Sequence, residues 1–381
     1  MAGLSQLLSP QVLTRVVSQV AGSSDWLATL FGLQPGGKNV INMGHGRTGS
    51  FNIYNHVRAI AQGRAPGTAA ARRAPNIVGQ VNFTYPRMHD SVSLLAEVLH
   101  NLGRIDNPVQ RDSMGADMIR RQTDTLGELA GNWRKAMIIG MLRNSLYVVL
   151  DGDNWYFSLT DPGGAMRINF QTPAGNLSKL NMLGGGDILG ASWATAGTDI
   201  PLNLGQINAA FQQLNGGHLG AVILGHAAWN EVVTNDFVRQ SHGTSAPPFV
   251  TLSRSDLDPV LANTMKNVYE ARLIYYPDIR WFITDEVLDF AAPGAAASYQ
   301  KIVADGYALF VGFEPGDDVL GMYEGSEPIA EYDGGPETQK TGLNSWSVKR
   351  ANPTSTDLFV LDNALAVNHI PTSIAYGNII Y

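Results

Sequence analysis

Residues 108–144 have the sequence PVQRDSMGADMIRRQTDTLGELAGNWRKAMIIGMLRN, in which apolar or long side chains recur every three or four positions. The recurring positions are Met118, Gln122, Leu126, Leu129, Trp133, Met137 and Met141. This spacing predicts one amphipathic helix with an apolar face. At about 1.5 Å per residue, such a helix is a rod of roughly 55 Å. The rest of the fold has to be arranged around it.

The segment before the helix is basic. Residues 26–89 contain seven Lys or Arg residues and neither Asp nor Glu. Within this segment, Val40–Met43, Phe51–Tyr54 and Ile77–Tyr85 are predicted strands, and residues 63–75 between the last two have little apolar content beyond alanine. The pattern predicts a long two-stranded excursion. An isolated two-stranded ribbon is only marginally stable, so this one needs another surface to lie on.

A distant segment has the opposite charge. Residues 281–337 contain twelve acidic residues and one base, Lys301. Two segments of opposite charge predict surfaces that attract each other, either within a subunit or between copies. The alternative is that these acids form a face exposed to water.

The remaining chain mixes helices and strands. Leu4–Val20 and Asp256–Glu270 are predicted helices, and Ser145–Leu150 and Leu219–Leu224 are predicted strands. The mixture predicts an α+β protein. A length of 381 residues exceeds that of one typical domain, so two or more packing units are expected.

Composition excludes several classes of protein. A hydrophobic content of 44% with 15% charged residues is typical of a folded chain. The net charge of −7 argues against a dedicated nucleic-acid binder, which needs a basic surface. Cysteine is absent, so disulfides and thiolate chemistry are excluded. No apolar run is long enough for a membrane span, and residues 1–20 lack the features of a signal peptide, so a cytosolic product is expected.

No motif predicts catalysis. Gly32–Lys38 matches the first part of a phosphate-binding loop, but Asn39 stands where Ser or Thr should bind magnesium. Ser192 lies in a near-match to a nucleophile elbow that has Ala194 in place of the closing glycine. The eight histidines show no helical pairing for a metal. The sequence therefore predicts no catalytic residue, cofactor or metal site, and a structural protein instead of an enzyme.

The order of these parts resembles a known family. An N-terminal arm, a basic hairpin, a long helix, a mixed domain and a returning C-terminal sheet are similar to the major capsid proteins of tailed bacteriophages, whose fold is the Hong Kong 97 type. Four stretches resemble the branch that includes lambda protein E: Trp193–Pro201, Gly220–Gly225, Tyr299–Phe310, and Pro371 with Tyr376–Tyr381.

The resemblance implies a division of the chain into five parts. They are an N-terminal arm (1–38), an extended loop that overlaps a neighbouring subunit (39–90), a peripheral domain (91–190) with a spine helix (108–144), an axial domain (191–344), and a C-terminal return to the peripheral domain (345–381).

The implied function is self-assembly into hexamers and pentamers of an icosahedral shell that encloses double-stranded DNA. Expected partners are further copies of the chain, a separate scaffolding protein, a portal, a decoration protein and non-specifically packaged DNA, without a membrane. The expected location is the virion, after assembly in the host cytoplasm. The candidate residues for contacts between subunits are Arg58, Arg64, Arg72, Arg73, Arg87, Asp317, Asp318, Glu324 and Glu327.

One feature of the family is not expected here. In some members, a lysine of the extended loop forms an isopeptide bond with a neighbour. No lysine occurs between Lys38 and Lys135, so that bond has no donor in the expected place. A non-covalent shell is therefore predicted.

Two alternatives remain open at this point. An encapsulin-like bacterial compartment has the same fold and encloses a cargo enzyme instead of a genome. A nucleic-acid-binding module could instead use the basic segment 26–89, and its binding would depend strongly on salt.

Overall fold

A computed structural model describes residues 8–45, 48–54, 77–95, 108–151, 154–240, 249–252, 259–265, 267–274, 276–292, 294–328, 339–351 and 354–381. Its helices are α1 (Pro10–Ser24), α2 (Trp26–Phe31), α3 (Pro108–Arg143), α4 (Ile200–Asn215), α5 (His226–Thr234), α6 (Asp236–Gln240) and α7 (Pro259–Thr264). Short 3-10 turns occur at Ala174–Asn176 and Pro371–Ser373.

The strands before residue 252 are β1 (Val40–His45), β2 (Thr48–Tyr54), β3 (Ile77–Thr84), β4 (Arg87–Leu95), β5 (Leu146–Asp151), β6 (Asn154–Ser158), β7 (Met166–Ile168), β8 (Leu177–Ser178), β9 (Ala221–Leu224) and β10 (Phe249–Thr251). The later strands are β11 (Val268–Leu273), β12 (Tyr276–Thr284), β13 (Val287–Asp289), β14 (Tyr299–Lys301), β15 (Tyr307–Val311), β16 (Leu320–Pro328), β17 (Gln339–Thr341), β18 (Asn344–Ala351), β19 (Thr354–Asn368) and β20 (Ile374–Asn378).

A six-stranded sheet is built on the long strand β19. This strand pairs antiparallel with β4, β18 and β16, and β1 then pairs parallel with β16. Residues 355–369 are all buried, so both faces of β19 are covered. The carboxylates on this strand have cationic partners, since Asp357 pairs with Arg350 and Asp362 with Arg134. Pairing is what allows such groups to lie inside a sheet.

A second sheet has seven strands in the order β10–β11–β12–β9–β15–β20–β8. Strand β9 is buried at every position, as expected for a central strand covered on both faces. Two small sheets, β6–β5–β7 and β13–β14, lie beside α3, and β2 with β3 forms a separate two-stranded hairpin. The mixture confirms the predicted α+β class.

Helix α3 connects the two large sheets. The predicted helix over 108–144 is confirmed as Pro108–Arg143. Its first half exposes one side, whereas residues 133–142 are buried or half-buried throughout. The largest apolar cluster includes Met137 of α3, Ile223 of the seven-stranded sheet and Met322 of the six-stranded sheet. One continuous core therefore joins the two sheets through the helix.

The N-terminal helix α1 lies against α3 at a glycine. A Cβ atom placed on Gly127 would lie only 2.6 Å from the Cβ atom of Val20. The close approach of the two helices therefore requires a residue without a side chain at position 127. Leu13 and Val17 of α1 share a core cluster with Leu126 of α3, the residue directly before Gly127.

One predicted helix differs from the structure. The predicted helix 256–270 is wrong beyond residue 264, because Val268–Leu273 is strand β11. The buried Glu270 of this strand forms a two-pronged ion pair with Arg280 of β12, which holds the strands together. Within residues 345–381, predicted to return to the peripheral domain, β18 and β19 lie in the six-stranded sheet and β20 lies in the seven-stranded sheet. Strand β16, inside the expected axial segment 191–344, belongs to the six-stranded sheet, and the division into domains stays a prediction.

Candidate inter-subunit surfaces

The β2–β3 hairpin is attached to the six-stranded sheet at an aromatic root. Phe51 of β2 is buried, and its ring centroid lies 5.8 Å from that of Phe83 on β3. The Phe51 ring also meets Tyr323 of β16 at 6.1 Å and the imidazole of His369 at 6.0 Å, both nearly edge to face. Edge-to-face contacts of this kind stabilise a cluster by about 0.5–1.5 kcal/mol per pair. The hairpin therefore begins from a fixed point on the sheet.

His369 makes polar contacts in the same root. The amide of Tyr54 donates to the carbonyl oxygen of His369 at 2.9 Å. The Nδ1 atom of His369 lies 3.2 Å from the carbonyl oxygen of Asn52, and Nε2 lies 3.4 Å from the hydroxyl of Tyr323. Burial lowers the pKa of His369, so the neutral ring is favoured. Burial also raises the pKa of the Tyr323 hydroxyl to about 12.

A groove of about 730 Å³ runs beside α3. Its floor is aromatic, because the rings of Trp133 and Phe157 stack with centroids 3.9 Å apart. The Nε1 atom of Trp133 is buried without a hydrogen-bond partner among the described residues. Leu129 of α3 and Trp155 of β6 also line the groove and are 38% and 40% exposed. Exposed apolar side chains around a concave surface are typical of an interaction site.

The rim of this groove carries carboxylates. Asp90 of β4 and Asp289 of β13 both line it and are exposed. The predicted contact residue Arg87 of β4 lies in the same groove and is also exposed. A second cleft of about 780 Å³ separates the hairpin from β7. Phe51, Ile53, Val81 and Phe83 of the hairpin pack on the core, so the cleft lies beside this contact.

Two clusters of buried charge meet on α3. The guanidinium of Arg134 bonds to Asp362 of β19 at 2.7 Å and to Glu324 of β16 at 2.7 Å. The ammonium of Lys135 pairs with Glu286, just after β12, and lies 4.0 Å from Asp25 at the start of α2. Burial raises the pKa of Asp25 to about 6, because desolvation outweighs the attraction of Lys135. Sequence reasoning missed these cations, which are the only charges between Leu129 and Leu142.

The structure places the predicted contact residues in different environments. Arg58, Arg64, Arg72 and Arg73 lie outside the described residues. Asp317 and Asp318 are exposed between β15 and β16. Glu324 is paired with Arg134 inside the chain, and Glu327 lies on β16 opposite Lys340. The assignment of these residues to contacts between subunits stays a prediction.

The acidic segment 281–337 has partners within its own subunit. Among its described residues, four acids pair with a Lys or Arg of the same chain, namely Asp285, Glu286, Asp305 and Glu324, and Glu314 lies 2.9 Å from the imidazole of His218. The partners of Glu286 and Glu324 are the buried cations of α3. Part of the charge asymmetry seen in the sequence therefore serves the fold of one subunit.

The described residues form neither a metal cluster nor a membrane-spanning helix. Over the described parts of the chain, no group of His, Asp and Glu side chains has the arrangement of a metal site. Among the same residues, no helix is long and apolar enough to cross a membrane.

The chain resembles known proteins in structure but not in sequence. No family model matches it, and no curated protein matches its sequence. A phage-related protein from Bordetella bronchiseptica RB50 is similar with a TM-score of 0.56 at 10% identity, over 100% of this chain and 98% of that one. A protein assigned as the capsid protein of a prophage of E. coli CFT073 gives a TM-score of 0.55 at 12% identity, over 99% of each chain. The predicted Hong Kong 97-type fold is confirmed along the whole chain.

Proposed function

We propose that this chain is a phage major capsid protein that self-assembles into the hexamers and pentamers of an icosahedral shell around double-stranded DNA. The observation that carries the proposal is the end-to-end similarity of fold to two phage-derived proteins, one of them assigned as a capsid protein. Function then resides in surfaces that meet other copies. The virion as location, assembly in the host cytoplasm, and scaffolding, portal and decoration partners belong to the same proposal.

The hairpin and the groove support a contact between copies. We assign residues 39–90 as the loop that overlaps a neighbour, with its part 55–76 as the segment that reaches the other copy. The groove beside α3, which the base of the same loop helps to line, is assigned as the receiving surface. Residues 55–76 carry four arginines and no acid, whereas the groove carries exposed Asp90 and Asp289 at its rim together with Arg87. Exposed ion pairs contribute only about 0–1 kcal/mol each, so they fix register more than strength. Repetition over a closed shell supplies the stability.

The assembly state tests the proposal directly. The purified chain, alone and co-expressed with the scaffolding gene of its genomic neighbourhood, is expected to form shells of tens of nanometres by negative-stain microscopy. Shells that contain double-stranded DNA after expression with the packaging genes support a capsid, whereas shells that retain one enzyme identify a compartment instead. A monomer in both expressions would overturn the proposal.

Charge reversal tests the contact itself. The variant R72E/R73E should fold normally but assemble poorly, because two cations of the overlapping loop become anions facing acids. The control R15E/K349E makes the same change in net charge at two exposed positions outside the loop. If R72E/R73E and R15E/K349E assemble equally well, the basic loop takes no part in the contact.

The absence of lysine between Lys38 and Lys135 gives a second expectation for the shell. Assembled particles should dissociate into single chains on a denaturing gel. A ladder of covalently linked subunits would contradict this expectation while leaving the assembly proposal intact.

A further inference from the structure

The edge of β2 that faces the six-stranded sheet presents one backbone carbonyl and one backbone amide. The carbonyl needs a hydrogen-bond donor from a neighbouring group, and the amide needs a hydrogen-bond acceptor. The carbonyl of Asn52 and the amide of Tyr54 lie two residues apart, and such groups point to the same edge of a strand. A pairing strand would supply a backbone carbonyl for the amide and a backbone amide for the carbonyl. The carbonyl of His369 takes the first role, since it accepts from the Tyr54 amide at 2.9 Å.

The backbone amide of His369 cannot take the second role. It donates to the carbonyl oxygen of Val319, just before β16, at 2.9 Å. The imidazole supplies the missing donor instead, with Nδ1 at 3.2 Å from the carbonyl oxygen of Asn52. This bond requires the proton on Nδ1, which leaves Nε2 to accept from the hydroxyl of Tyr323 at 3.4 Å. One residue thus links β2, β16 and the end of β19.

His369 lies where the six-stranded sheet meets the β2–β3 hairpin. The residue directly follows β19, the central strand of the six-stranded sheet, and precedes the turn Pro371–Ser373. The hairpin on the other side is a two-stranded ribbon, which has little stability of its own. A cleft separates the hairpin from β7, so the described contacts of the hairpin with its subunit are concentrated at the root around Phe51. The direction of the hairpin therefore depends on its root.

We propose that His369 is a positioning residue: its ring replaces a backbone donor and fixes the direction in which the β2–β3 hairpin leaves the six-stranded sheet, and so the geometry of overlap between subunits. The part concerning overlap rests on the proposed function. The part concerning direction is a property of the single subunit and can be measured without assembly.

A pair of isosteric substitutions separates this role from general stability. In H369N the amide nitrogen can occupy the place of Nδ1 and donate to the Asn52 carbonyl. In H369Q the amide group reaches the place of Nε2 and leaves that carbonyl without its donor. V360A, which removes buried volume from β19, controls for loss of stability alone. H369A removes both ring nitrogens.

The absence of cysteine allows the hairpin to be followed with two spin labels. Labels on cysteines introduced at Gln80 of β3 and Lys349 of β18, both exposed, report the distance between hairpin and sheet in the unassembled subunit. The parent, H369N and V360A are expected to give one narrow distance distribution. H369Q and H369A are expected to give a distribution at least twice as broad or displaced. Equal distributions for H369N and H369Q would overturn the proposal, even if H369A does not fold.

The same variants are then assembled and imaged. H369N should give shells as uniform in diameter as the parent, and H369Q should give shells of mixed diameter or incomplete curvature. A broadened distance with uniform shells would overturn the link between hairpin direction and overlap. Failure of the parent chain to assemble would count against the proposed function only, because the distance measurement still decides the role of His369.

Discussion

Substitution of Asp25 by Asn should make the subunit more stable at neutral pH. It should also remove part of the pH dependence of the free energy of unfolding. The carboxyl group is buried at the start of α2, where Oδ1 accepts from the Leu27 amide at 3.0 Å and Oδ2 has no partner among the described residues. Lys135 is 4.0 Å away and makes its closer contact with Glu286. Asn retains the acceptor at the helix start without introducing a charge.

The expected magnitude follows from the pKa of Asp25, raised from 3.8 to about 6. The folded state binds the proton more tightly than the unfolded state, so this group's stabilising contribution is complete below the unfolded pKa and is lost as the pH rises through about 6. At about 1.36 kcal/mol per pH unit, the loss is about 3 kcal/mol. D25N and the parent should therefore be equally stable near about pH 3, and D25N should be more stable by up to about 3 kcal/mol near about pH 7.5.

Urea unfolding of the unassembled subunit across this pH range measures the difference. The comparison with the parent cancels the titration of all other groups. D199N changes the equivalent capping residue of α4 at a partly exposed position and serves as the control. A D25N subunit that is less stable than the parent at neutral pH would refute the reasoning, because attraction to Lys135 would then exceed the cost of burying the charge.

Three further substitutions test other parts of the fold. R134A leaves the buried Asp362 and the half-buried Glu324 without their cation and should reduce the free energy of unfolding by about 3–5 kcal/mol, measured by chemical denaturation. G127A places a methyl group against Val20 and should cost about 1–3 kcal/mol, with faster proteolysis of α1 as the local sign. L129K introduces a cation in the groove beside α3, where it repels the arginines of the proposed loop, so stability should change by less than about 0.5 kcal/mol while assembly, assayed by microscopy, is impaired. Normal shells from L129K would show that this groove takes no part in the contact.

Local periodicity was sufficient to predict the spine helix and the hairpin. The apolar spacing of residues 108–144 located α3 to within one residue, because helical propensity and burial agree there. The strands Phe51–Tyr54 and Ile77–Tyr85 correspond to β2 and β3. The exposed Leu129 shows the limit of this reasoning, since a helical wheel gives the apolar face but not which part of it another element covers.

The candidate site was less predictable than the fold. The sequence marks Arg134 and Lys135 only as two charges in an otherwise uncharged stretch of helix, and their partners lie more than one hundred residues away in the sequence. His369 gave no signal either, because its role depends on the backbone of Val319 and Asn52, which only the folded chain brings together. Long-range pairing of this kind has no periodicity to detect.

The two buried cations explain how one subunit holds its hairpin and its groove in a fixed relation. Consecutive helical residues point about 100° apart, so Arg134 and Lys135 reach different elements. Arg134 is bound to the six-stranded sheet, which carries the hairpin root, and Lys135 is bound to α2 and to Glu286 at the end of β12 in the other sheet. Buried ion pairs add little net stability but cost several kcal/mol to break, so they restrict the angle between elements more than they strengthen the fold. The groove is lined by both α3 and β13, which follows Glu286 directly. If the groove of one subunit receives the hairpin of the next as proposed, a change at either cation should alter that contact in addition to its effect on unfolding.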